Sequence, residues 1–209
     1  MNNYALWGCR LPKKTMQQLR FTLICLFIVA ALPVFAQNIG LADFNQNRLN
    51  RTRNSMLVLG GWAAANIVVG AVGAGRGGAE NKAFQQMNLG WGLINLGLAG
   101  AGWWTATHTD PASFDLYGTI NEHHRMQKIL LFNAGLDVGY MAAGFWMQEK
   151  SKTDDKNPER WKGFGRSLVL QGAFLMVFDL SAFFYLNGLE TQLKPLITGN
   201  GELGVLLRF

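Results

Sequence analysis

Two carboxylates, Asp137 and Asp179, stand inside long stretches of sequence that contain no lysine or arginine to pair with them. An ionised carboxylate held away from water is costly, so each must be protonated, hydrogen-bonded or neutralised by a bound cation. Amides recur in the same kind of stretch, at Asn66, Asn95, Asn133 and Gln171. Asn133 and Asp137 are four residues apart and share one helical face, and Gln171 and Asp179, eight apart, share another. Counted from the ends of their stretches, both acids lie roughly 10 to 12 Å deep. Neighbouring antiparallel helices would therefore bring them to one level, where they predict a polar core with Asn133 and Gln171. That core reads either as a proton or cation site or as interhelical glue with neutral acids.

The three histidines, His108, His123 and His124, fall in one connection beside Asp110, Asp115 and Glu122. They supply metal-binding atoms but no recognised ligand spacing, and adjacent His123 and His124 point to different faces of a helix. Haem held between helices needs histidines within two facing apolar segments, and these segments hold none. Residues 73–78, Gly-Ala-Gly-Arg-Gly-Gly, match a dinucleotide pattern by letter, but they follow an apolar helix rather than a strand, so they predict a loop between helices. With no Ser/His/Asp order and no paired catalytic carboxylate pattern, the expectation is a non-enzymatic protein without a cofactor.

The elements that must position these groups are four blocks without lysine or arginine: 55–75, 87–107, 129–147 and 167–186. Each is long enough to cross a bilayer as a helix. Basic residues stand immediately outside three of them, at Arg76, Lys128 and Arg166, and Trp103, Trp104, Trp146 and Trp161 mark ends. The reading is an all-α membrane protein: an antiparallel four-transmembrane-helix bundle at 55–186, a polar N-terminal segment at 37–54, and a short strand-like tail at 187–209. An eight-stranded outer-membrane barrel is the rival, suggested by Leu203, Val205, Leu207 and Phe209 on alternate positions. Barrel strands are about ten residues long, however, and these blocks run about twice that without a turn signal.

Residues 1–36 read as a signal peptide, with Lys13, Lys14 and Arg20 ahead of the apolar run from Phe21 and Val34-Phe35-Ala36 before Gln37. Retention as an anchor is the alternative to cleavage, and Met16 is a second plausible start. Both cysteines, Cys9 and Cys25, lie in this leader, so the remaining chain has no thiol for disulfides, thiolate catalysis or cysteine-based metal sites. The leader also carries four of the basic residues, and removing it lowers the net charge from +6 to +2. Fifteen lysines and arginines against thirteen acids give no basic surface for nucleic acid, and 49% hydrophobic against 15% charged residues points to a lipid bilayer. The distribution of basic residues between the connections favours an inner membrane with both mature termini on the periplasmic side, although Arg48, Arg51 and Arg53 oppose it.

Small residues four apart are dense: Gly61 with Ala65, Gly70 with Ala74, Gly135 with Gly139, and Gly139 with Ala143. Such pairs let helices approach closely within a bundle or between protomers, and they predict a homo-oligomer or a membrane-protein partner. Gly61-Trp62 with Asn66 recurs 29 residues later as Gly90-Trp91 with Asn95, a local repeat on two consecutive and hence oppositely directed spans.

Residues 59–70, 85–97, 129–140 and 170–180, LGGWAAANIVVG, QQMNLGWGLINLG, ILLFNAGLDVGY and LQGAFLMVFDL, together resemble an uncharacterised bacterial family of small four-helix membrane proteins, a domain of unknown function. The resemblance implies the four-span architecture and assigns no activity to any residue. The expected role is a scaffold or complex subunit in the membrane, with a small proton- or cation-coupled carrier using Asp137 and Asp179 as the alternative.

Overall fold

The computed structural model of the protein describes residues 40–199, so the expected signal peptide and residues 203–209 lie outside the described residues. Four long helices follow one another: α1 (Leu41–Gly73), α2 (Ala79–His108), α3 (Leu116–Lys150) and α4 (Pro158–Asn187). A shorter fifth, α5 (Glu190–Gly199), completes the described chain, and no strand occurs among the described residues.

Local chemistry sets the helix boundaries. Asp43 accepts a hydrogen bond from the Gly40 backbone N–H at the start of α1, and Asp115 accepts one from Gly118 N–H at 2.7 Å to cap α3. Pro158 opens α4, where a missing N–H costs nothing. Between α1 and α2 the chain turns through Gly77 at φ +81°, a left-handed conformation that favours glycine, and Asn81 closes the turn by donating to the Gly73 carbonyl at 3.0 Å. The glycine-rich letters of a nucleotide loop thus form a turn between helices.

Helices α1 and α2 form one antiparallel hairpin, and α3 and α4 form the other. The hairpins join where α2 packs alongside α4. Glycines set the closest approaches: a Cβ on Gly144 would stand 2.7 Å from the Gly165 carbonyl oxygen, so α3 and α4 touch backbone to backbone there. Glu80 ties the start of α2 to α4, with Lys162 Nζ at 2.9 Å and Arg166 Nη1 at 2.6 Å. Those two donors, Lys162 first, hold the Glu80 carboxyl below its ordinary value of 4.5.

Large apolar side chains face outward. Val68, Phe132, Val177 and Phe184 are each more than 60% exposed, while Asn66, Asn95, Asp137 and Gln171 are buried. A water-soluble bundle would invert that distribution, and a bilayer accounts for it. Three helical runs are long and apolar enough to cross a membrane: Leu41–Gly73, Leu116–Lys150 and Pro158–Ile197. The segment expected as the second span, 87–107, belongs to α2, which is long enough but diluted by Asn88, Asn95 and five glycines.

Three boundaries differ from those read in the sequence. The segment 37–54 is not a separate polar element, because α1 begins at Leu41 and buries Phe44, Asn45, Arg48 and Leu49. The histidine connection is shorter than expected, since α3 begins at Leu116 and carries His123 and His124. The tail is helical through Gly199: Leu189 and Leu193, one turn apart, pack on Phe44, and that contact holds α5 despite Pro195 within it.

Candidate functional site

Two layers of buried polar residues lie between the long helices. The first is an amide cluster centred on Gln171, which is fully buried. Its Nε2 donates to Asn66 Oδ1 at 2.7 Å and to Asn88 Oδ1 at 3.0 Å, and its Oε1 accepts from the Trp62 indole at 2.9 Å. Ser167 Oγ donates to the same Asn88 oxygen at 2.5 Å, and Asn66 Nδ2 donates to the Trp62 carbonyl at 2.8 Å. Three helices are therefore latched together by a network in which Gln171 uses both ends of its amide.

The second layer lies two turns further along α4. Asp137 of α3 and Asp179 of α4 are both buried and face one cavity. They line a cavity of about 130 Å³ between all four long helices, together with Asn95, Asn133, Tyr140 and Trp91. Leu59, Leu175 and Phe178 supply part of its apolar wall. Two buried polar atoms of this layer have no protein partner: Asn95 Nδ2, a donor, and Asp137 Oδ2, an acceptor. A polar cavity of this size has room for water, which can serve a donor and an acceptor together.

Of the polar core expected from sequence, the structure brings together Asn95, Asn133, Asp137 and Asp179. It places Asn66 and Gln171 in the neighbouring layer. Gln171 and Asp179 do share a stripe, but eight residues carry the helix about 12 Å along its axis, which separates them by a layer. Asn88, Ser167 and Tyr140 are not singled out by the sequence, and only the periodicity of buried polar positions could indicate them. The repeated tryptophan and asparagine pairs divide between the layers: Trp62 and Asn66 join the amide cluster, while Trp91 and Asn95 line the acid cavity.

The histidines do not converge. His108 stacks on Trp104 with ring centroids 3.7 Å apart, His123 is buried edge-on against Phe44, and His124 is exposed. Among the described residues no three histidines, cysteines or acids are grouped to hold a metal ion. Adjacent positions on a helix diverge by about 100°, which is what separates His123 from His124.

Residues 58–180, which contain both polar layers, match the profile of a family of unknown function, DUF6992. The chain belongs to that family. Family membership agrees with the uncharacterised family indicated by the sequence motifs, and it assigns no chemistry to the acid pair. No curated protein and no solved structure matches the chain.

Proposed function

We propose that this family member is a non-enzymatic, proton-binding membrane protein, acting as a small proton-coupled carrier through Asp137 and Asp179. The observation that carries the reading is that both buried carboxyls line one cavity, where Asn95 Nδ2 and Asp137 Oδ2 lack protein partners. Two carboxyls sharing a buried cavity are costly to ionise together without a cation, so protonation is the simplest neutralisation. The unpaired amide donor favours water and protons over a bare cation, because a cation would require oxygen ligands at that position.

In the proposed arrangement α2 also crosses the bilayer, since it packs along α1 and α4 and its 30 residues span about 45 Å. The connections at 74–78 and 151–157 then share one side. Lys150, Lys152, Lys156, Arg160, Lys162 and Arg166 cluster around them and favour the cytoplasmic face of an inner membrane.

Reconstitution into liposomes containing a pH-sensitive dye tests the carrier. An imposed potential should drive proton entry with the wild-type chain, and Asp137→Asn or Asp179→Asn should abolish it while helicity is retained. Equal flux in wild type and both variants would remove the proposal.

A scaffold or complex subunit remains a second reading, favoured by the open space around Gly135 and Gly139. A Cβ at either position would meet nothing within 4 Å, so this glycine face of α3 is free to receive a helix of another protomer. Cross-linking in native membranes should recover a homo-oligomer or a stable membrane partner through that face. A strictly monomeric protein would leave the carrier alone.

A further inference from the structure

Towards the end of the bundle where α1 starts and α2 finishes lies a second cavity, of about 380 Å³, between α1, α2 and α3. That volume falls within the roughly 300–1,000 Å³ of small-molecule sites. Its apolar part is made by Met56, Leu98, Ala106 and Met126, and Leu98, 59% exposed, puts an apolar rim on the outer surface of the bundle. Its polar part contains Arg48, which is only 4% exposed. Arg48 Nε and Nη2 donate to Asn45 Oδ1, at 3.3 and 3.1 Å, and the guanidinium lies over the Phe114 ring at 5.0 Å.

Among the described residues no carboxylate stands within ion-pair distance of Arg48, and its Nη1 has no protein acceptor. The one acid lining the cavity, Glu122, is already engaged by Arg125 at 2.7 Å. Glu122 attracts Arg48 only from beyond ion-pair distance, so the lining, with Arg48 and Arg125 against Glu122, carries one net positive charge. A buried guanidinium without a counter-ion is expensive unless an anion completes it, and guanidinium is well shaped to take carboxylate or phosphate oxygens.

We propose that this cavity binds an anionic amphiphile, with its carboxylate or phosphate on Arg48 and its acyl chain running past Met56 and Leu98 into the bilayer. The headgroup recognition is shared by a free fatty acid and by an anionic phospholipid, and the two differ in which probe competes.

Binding to the purified full chain in a neutral detergent is measured with palmitate, with lysophosphatidylglycerol and with hexadecanol as the uncharged control. Saturable binding of palmitate or of lysophosphatidylglycerol, weakened about tenfold by Arg48→Gln, is the expected result. Preference between those two anionic probes identifies the source. Because Arg48→Gln could disturb the hydrogen bonds to Asn45, Ala101→Phe provides the second arm: it leaves Arg48 in place, occupies the cavity from an exposed position, and should weaken binding as well. Hexadecanol binding as well as either anionic probe, indifference of binding to both variants, or no saturable binding by the wild-type chain would each overturn the assignment.

Discussion

Gly172 of α4 lies directly against the backbone of Asp137 on α3: a Cβ at position 172 would stand 2.8 Å from the Asp137 carbonyl oxygen and 2.9 Å from Met141 Cγ. The absence of a side chain at 172 is therefore what lets α4 come close enough to align Asp179 with Asp137. A methyl group there must push the helices apart, since backbone cannot yield as a flexible side chain can. Gly172→Ala should lower the unfolding free energy in detergent by about 1–3 kcal/mol, the range for overpacking a closely fitted interface. Proton flux should fall with it. Thermal unfolding followed by circular dichroism checks the first expectation, and an unchanged midpoint would mean that the helices separate freely.

Gln171 is the centre of the amide layer. Replacing it with leucine leaves the Trp62 indole and the Asn66 oxygen without a partner in a buried site, while the Asn88 oxygen keeps Ser167, and each stranded group costs about 1–3 kcal/mol where no water reaches it. Gln171→Leu should consequently destabilise more than Gln171→Glu, whose oxygen can still accept from Trp62. Comparison of the two melting transitions separates loss of the network from loss of volume.

Asn95 should respond in the opposite sense. Its Nδ2 is buried and unpartnered, so the folded state gains little from it. Asn95→Leu is expected to leave stability unchanged or raise it by about 1 kcal/mol, while drying the cavity and lowering proton flux. A residue retained at a cost to stability and needed for flux belongs to function. A variant that loses stability and keeps flux would make Asn95 a packing residue.

Much of this arrangement was written in residue spacing. Stretches of about twenty residues without lysine or arginine indicate the helices, and the equal depth of Asp137 and Asp179 indicates that they share a level. Spacing did not reveal that Gln171 belongs to another layer, because a shared helical face fixes direction around the axis and says nothing of which neighbour stands opposite at each height. The helical continuation of α1 back to Leu41 was hidden by Arg48, Arg51 and Arg53, which gave the segment a polar composition although Phe44 and Leu49 are buried. The helix after residue 189 depended on Phe44, about 145 positions earlier in the chain, and no local pattern reports a contact of that range.

Acid should loosen the opposite end of the bundle, where Glu80 links α2 to α4 through Lys162 and Arg166. The Glu80 carboxyl is held below its unfolded value, so its contribution to stability is complete above about pH 4.5 and is lost as the pH falls through the lower folded value. The link is exposed at its cationic side chains, which keeps the contribution within the roughly 0.2–1 kcal/mol of surface ion pairs. Glu80→Gln should therefore be slightly less stable than wild type at pH 7 and draw closer to it as the pH falls below about 4.5. Melting curves of both proteins across that range, repeated at high salt to screen the pair, decide the matter: a difference that neither shrinks with falling pH nor responds to salt would show that Glu80 acts through packing against α4 and not through its charge.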